Sequence, residues 1–153
     1  MATDEEIAPL TRHTGYWLRL VSNHVSQAFA RRVEERGVTV AEWVVLRDLF
    51  DHGALAPGHL AVKIGWTRGA ISKLADRLLA KGLIHRQADP QDGRGQILSL
   101  TAAGRALVPD LARCADENDA AFFGHLTVED RQLLDRLLKD LSARHGPNAT
   151  PVD

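Results

Sequence analysis

The chain has 153 residues, of which 44% are hydrophobic and 25% charged, a size and balance that suit one folded domain and exclude a chain disordered throughout. No apolar run reaches the length of a membrane span, and the acidic opening MATDEEIAPL lacks the basic and apolar stretches of a signal peptide. The single cysteine, Cys114, excludes an intrachain disulfide, so a cytoplasmic location is the default expectation.

The spacing predicts a long first helix over 4–36. Leu18, Val21, Val25, Phe29 and Val33 mark one stripe, with Trp17, Leu20, His24 and Ala28 beside it. Asp4, Glu5 and Glu6 favour its N-terminus through the helix dipole, and Gly37 is a stop signal. A helix so much longer than the mean of about 11–12 residues implies a partner outside its own core.

Thr39 and Glu42 form a capping box for a second helix, AEWVVLRDLF, apolar on most sides and therefore central. In APGHLAVKIG, Pro57 stands at a first helical position and Gly65 just past the end, the asymmetry of a short third helix. Thr67 caps the fourth helix, which Gly82 closes, and LIHRQA follows as a short strand. DPQDGRG, at 89–95, is turn chemistry, and QILSL returns the chain as a second strand, giving a β-hairpin.

Thr101 caps a long fifth helix, with Pro109 expected to bend it near one turn inside. Thr127 caps the last helix, whose apolar face carries Leu133, Leu134, Leu137, Leu138 and Leu141. Gly146 stops it, and PNATPVD is expected to fray. No internal repeat or interdomain linker is visible.

Charge is unevenly spread although the net is −1. Between Lys63 and Arg105 eight basic residues stand against three acidic ones, a local charge of +5; the remainder has eleven basic and seventeen acidic, or −6. An electropositive segment within an acidic protein is what a limited surface facing phosphate requires. Two helices joined by the tight turn GWT, followed by a hairpin, describe a winged helix-turn-helix, whose second helix enters the DNA major groove.

At 100° per residue that helix places Gly69, Ser72, Lys73, Asp76, Arg77 and Ala80 opposite the buried stripe of Ile71, Leu74, Ala75 and Leu78. Gly69 and Ala70 keep side chains short where a partner's backbone would approach, and the amides after Thr67 suit a phosphate. Ser72 and Lys73 reach toward base edges, while Arg68 and Arg77 reach toward bases or backbone. Arg94, between Gly93 and Gly95, suits a narrow minor groove. Asp92 either orients Arg94 or a neighbour such as Arg86, or is an Asx-turn residue.

LAVKIGWTRGAISKLADRLLAKGLIHRQADPQDGRGQILSLTAAG resembles the MarR (multiple antibiotic resistance regulator) family of bacterial transcription factors. The resemblance is carried by Leu60-Ala61, Ser72, Leu74, Asp76-Arg77-Leu78, Lys81-Gly82-Leu83, Arg86, Asp89-Pro90, Asp92, Arg94 and Leu100–Gly104. It implies a mainly α fold with a small β-hairpin wing, and a single domain over 1–153. The winged helix-turn-helix DNA-binding lobe would span 39–101, with dimerisation helices at 4–36 and 102–145. It also implies a homodimeric regulator, often a repressor released by a small aromatic or phenolic ligand. The helix geometry and the match together give Thr67, Arg68, Gly69, Ser72, Lys73, Arg77, Arg86, Asp92 and Arg94 as the candidate DNA contacts.

Gly69 and Ala70 depart from the hydroxyl or larger polar residues common there, so base reading leans on Arg68, Ser72, Lys73 and Arg77. Trp66 is expected to pack under the recognition helix. A two-fold dimer would require an inverted-repeat operator with half-sites about 10 bp apart.

The resemblance places an effector pocket where the first, second and fifth helices meet, with Trp17, His24, Trp43 and Arg47 as candidates by position. Each of these, taken singly, is first of all a core or interface residue. Some family members sense peroxide through a cysteine in the first helix; here that helix has none, and Cys114 reads as a small buried hydrophobe. Asp48, Asp51, His52 and His59 fit no closed zinc motif, so no metal or cofactor is expected. No Walker loop, Rossmann glycine pattern, His-Glu-x-x-His or nucleophile elbow is present, which argues against an enzyme. The alternative class is a dimeric protein-interaction module that has kept the fold without specific DNA binding.

Overall fold

The computed structural model describes residues 7–146. A single 3₁₀ turn, Leu10–Arg12, precedes α1 (Thr14–Glu34), α2 (Val40–His52), α3 (Pro57–Ile64) and α4 (Arg68–Ala80). The hairpin β1 (Ile84–Ala88) and β2 (Gln96–Leu100) follows, then α5 (Ala102–Phe123) and α6 (Val128–Arg144).

The first helix begins ten residues later than the periodicity predicts. Pro9 is extended and lacks an amide donor, and His13, also extended, is the N-cap of α1. The Trp17 indole donates to the Thr11 carbonyl at 2.9 Å and fastens this corner. The acidic residues Asp4, Glu5 and Glu6 and the tail from residue 147 lie outside the described residues. At the other end the expected stop is present: Gly37 takes φ +84°.

The remaining caps follow local chemistry. Thr39 and Glu42 form the reciprocal capping box; Pro57 opens α3, and Gly65 ends it in the left-handed region. Thr67, Thr101 and Thr127 each accept an amide three residues on. Pro109 lies inside α5, about two turns from its start at 3.6 residues per turn. It is thus a turn deeper than expected, and there it removes the amide that would have bonded the Arg105 carbonyl.

The core joins α2, α3, α4 and the hairpin to α5 through Leu46, Leu49, Leu60, Ile71, Leu78, Leu98 and Leu111, all fully buried or nearly so. The hairpin is antiparallel, with Ile84 opposite Leu100 and Ala88 opposite Gln96. One pairing was not legible in the sequence. Leu55, between α2 and α3, exchanges both backbone hydrogen bonds with Leu98, at 3.0 and 2.9 Å. The base of the wing is thereby tied to the entry of α3.

Leu100–Gly104 explains itself as a joint. The Thr101 hydroxyl donates to the Gly82 carbonyl at 2.7 Å, and the Thr101 amide donates to the Leu83 carbonyl at 3.1 Å. Gly104 lies so close that a Cβ there would come within 2.1 Å of the same Leu83 oxygen. Only glycine lets the start of α5 pack on the end of α4.

The outer helices are different in kind. α1 buries only Val33 and α6 buries nothing, whereas Trp17, Leu18, Leu133, Leu137, Leu138 and Leu141 stay exposed. α1 is fastened to α5 by an Arg32–Glu117 ion pair at 3.2 Å and by the Asn118 amide donating to the Val25 carbonyl at 3.1 Å. Cys114 is buried in this seam, as its reading as a small hydrophobe requires.

Candidate nucleic-acid interface

The helical repeat of α4 turns Ile71, Leu74, Ala75 and Leu78 into the core and leaves Arg68, Gly69, Ser72, Lys73, Asp76 and Arg77 exposed. Thr67 is spent as the cap: its hydroxyl accepts the Ala70 amide at 3.1 Å. A Cβ built on Gly69 would meet nothing within 4 Å. The protein's own packing therefore does not demand glycine there, and an approaching partner would find bare backbone. Trp66 is half-buried and packed against the core.

The eight basic residues of the positive segment divide into two sets that charge counting cannot separate. Lys81 turns inward: its ammonium donates to both Glu42 carboxylate oxygens at 2.9 and 2.7 Å and to the Gly37 carbonyl at 2.8 Å. Glu42 is fully buried and also takes the Thr39 amide at 3.2 Å. An unpaired carboxylate there would be costly, so Lys81 is a structural cation that ties the end of α4 to the start of α2.

Lys63 lies 2.7 Å from His52 Nε2 and 3.6 Å from Asp48. Arg86 pairs with Asp76 at 3.0 Å, which holds the wing's first strand against α4. Arg105 lies over the Phe50 ring at 5.7 Å. The other four, Arg68, Lys73, Arg77 and Arg94, are exposed and have no ion-pair partner among the described residues. All four sit on α4 or at the wing tip.

The wing tip is built by backbone bonds. The Asp92 carboxylate accepts the Arg94 amide at 3.1 Å, its carbonyl accepts the Gly95 amide at 2.9 Å, and the Gly95 carbonyl accepts the Asp89 amide at 2.9 Å. Asp92 is thus the Asx-turn residue of the two alternatives. It orients Arg94 through the main chain and does not pair with Arg86, whose partner is Asp76. Arg94 projects from this turn with open space at neighbouring Gly93.

The effector candidates are dispersed over two helices. Trp17 is half-exposed on α1, edge-on to Tyr16 at 5.1 Å, and His24 is exposed on the same helix. On α2, Trp43 is half-buried against the core, while Arg47 pairs with Asp51 at 3.0 Å and lies 5.9 Å from the Phe50 ring centre. No hydrogen bond or ring contact joins one of the four to another among the described residues. A cavity of about 250 Å³ lies elsewhere, lined by Ala54, Leu55, His59, Asp89, Pro90 and Ile97 among others. Of the acidic and histidine residues weighed as ligands, Asp48 and His52 are engaged with Lys63, and Asp51 with Arg47.

Known proteins resemble this chain in sequence and fold. The model of the MarR family matches residues 38–95, which run from the start of α2 to the wing tip. An HTH-type transcriptional regulator of Bacillus cereus is 32% identical, over 76% of this chain and 78% of its own length. The chain belongs to the MarR family. It is a winged-helix transcriptional regulator and not an enzyme. The HTH-type transcriptional repressor NicR of Pseudomonas putida is 26% identical over 86% of this chain and 84% of its own. The solved structure of BpsR of Bordetella bronchiseptica, whose DNA binding is regulated by 6-hydroxynicotinic acid, superposes with a TM-score of 0.75 at 26% identity, covering 89% of this chain and 97% of that one.

Sequence reasoning overlooked the Glu42–Lys81 tie and the Leu55–Leu98 bridge. The capping box did flag Glu42, but a capping glutamate has one free oxygen and many conceivable partners. Only the folded contact between the ends of α2 and α4 selects Lys81.

Proposed function

We propose that this MarR-family protein is a homodimeric repressor that binds an inverted-repeat operator and releases it on binding a small aromatic acid. The observation that carries the DNA contact is the segregation of Arg68, Lys73, Arg77 and Arg94, unpaired and exposed, on α4 and the wing tip. In this reading α4 lies in the major groove with Ser72 and Lys73 facing base edges, and Arg77 facing bases or backbone. Arg94 enters the flanking minor groove, where narrowness concentrates negative potential. Arg86 and Asp92 act at one remove, by holding the wing against α4 and shaping its tip.

Dimerisation is supported by the exposed apolar rows of α1 and α6, which soluble monomers rarely display contiguously. A two-fold pairing of these arms sets two recognition helices on successive major-groove faces. The effector class follows from the likeness to BpsR and from the aromatic and cationic side chains Trp17, His24, Trp43 and Arg47. A ligand between α1 and α2 would move α2, and the Glu42–Lys81 tie would pass that motion to α4, with a coupling of about 1–3 kcal/mol. No described helix is long and apolar enough to cross a membrane, which suits a regulator acting on cytoplasmic DNA.

The deciding experiment is a gel shift and DNase footprint with the DNA upstream of the protein's own gene, with and without 6-hydroxynicotinic acid and related aromatic acids. A protected inverted repeat with half-sites about 10 bp apart, released by one of the acids, is the expected result. Uniform binding without a protected site would point to the dimeric interaction module; a footprint that no acid alters would remove the effector.

A further inference from the structure

Gly58, the second residue of α3, has no conformational reason to be glycine. The glycines with positive φ among the described residues are Gly37, Gly53, Gly65, Gly82 and Gly146. Gly58 is not one of them, and within a helix glycine is the poorest choice after proline. Its distinction is what lies over it. A Cβ built there would come within 3.0 Å of Nη2 of Arg68 and within 3.4 Å of its Cζ and Nε. The guanidinium packs on the very face where a side chain would stand.

Arg68 is the first residue of α4, exposed and without an ion-pair partner among the described residues. Its charged end is turned across to the first turn of α3 instead of lying along α4 with Ser72 and Lys73. A methyl group at Gly58 would press on the guanidinium and displace it from this position.

We propose that Gly58 is a positioning residue, whose bare Cα directs the Arg68 guanidinium toward a DNA backbone phosphate beside the groove that α4 enters, away from the base edges. This rests on the DNA-binding reading above. It adds α3 to the elements that shape the basic surface, and it assigns Arg68 to the sequence-independent part of binding. The Arg68 guanidinium occupies the space that a side chain at position 58 would fill.

The test is an equilibrium titration of a labelled mixed-sequence duplex, at several salt concentrations, with wild type, Arg68→Ala, Gly58→Ala and the double variant. Thermal unfolding midpoints are recorded alongside. Arg68→Ala should flatten the log–log salt dependence by about 0.9, one phosphate's share. Gly58→Ala should weaken binding about two- to fivefold, the scale of one exposed charge contact. Its midpoint should be unchanged or raised, because alanine is the better helix former. The double variant should bind no worse than Arg68→Ala.

Wild-type affinity in Gly58→Ala would overturn the proposal, as would a loss that persists undiminished on the Arg68→Ala background. A lowered midpoint together with such a persistent loss would make Gly58 a folding residue only. If Arg68→Ala binds like wild type while Arg94→Ala does not, Arg68 leaves the interface and Gly58 goes with it, but the DNA-binding reading stands. Failure of wild type to bind the duplex at low salt would remove that reading itself.

Discussion

The lobe from α2 to β2 and the two outer helices, α1 and α6, differ in where their apolar residues go. In the lobe nearly every large apolar side chain is buried or packed against the core, and apart from the buried Glu42 the charged residues face out. Val62 is the exception, exposed on α3. In the outer helices the apolar rows stay on the surface, with Leu133, Leu137, Leu138 and Leu141 at 42%, 50%, 40% and 48% exposure. The same helical periodicity is therefore satisfied inside the chain in one region and left open in the other. Amphipathicity reports that a face needs covering; it does not report by what.

The comparison is broken most severely at the lobe's tightest joint. Gly104→Ala places a Cβ against the Leu83 carbonyl, a backbone atom that cannot swing aside. A loss of about 4 kcal/mol or more is expected, the range reached only by severe clashes or buried defects. Urea unfolding followed by circular dichroism measures it; a loss under about 1 kcal/mol would mean that α4 and α5 separate easily and that the lobe is less closed than it looks.

The outer helices should answer in the opposite way. Leu137→Asp combined with Leu141→Asp adds charge to surface already exposed in a single chain, so the lobe should remain folded. Light scattering should nonetheless show a shift from dimer to monomer, with operator affinity falling because the second half-site is lost. An unchanged mass would assign the leucine row to some other cover.

Between these extremes lies Glu42→Gln, which keeps the capping geometry and removes the charge that Lys81 pairs with. Because Lys81 is partly exposed, the expected cost is about 1–3 kcal/mol rather than that of a fully buried pair. Since Lys81 is then released toward solvent, the DNA salt dependence should not flatten. A steeper slope would mean that the released Lys81 ammonium reaches phosphate.

Arg94→Ala should leave stability within about 0.5 kcal/mol, as for surface substitutions generally. It should flatten the salt dependence of operator binding by about 0.9. Equal slopes for variant and wild type would take the wing out of the interface.

Much of the lobe was legible because its signals are local. Thr39 with Glu42, Pro57 with Gly65, Thr67, Thr101 and Thr127 each declare a helix end through chemistry within three or four residues. The alternation of LIHRQA and QILSL around DPQDGRG declares the hairpin in the same way. The start of α1 was misplaced because the acidic run at 4–6 outweighed Pro9, whose restriction on its neighbours is equally local. At the candidate site, the helix and wing were readable, and so was the excess of positive charge. Which cations are free was not: Lys63, Lys81 and Arg86 find their partners on other elements, ten or more residues away.

By itself, the sequence determined the order of elements, their caps, the family and the face of α4 that turns outward, because periodicity and capping act over a few residues. Tertiary structure alone decided that Lys63, Lys81, Arg86 and Arg105 find partners within the chain, why Gly104 is glycine, and that Asp92 shapes a turn while Asp76 holds Arg86. Those outcomes depend on distances between elements far apart in the chain, and charge and volume are assigned partners only when packing brings those elements together.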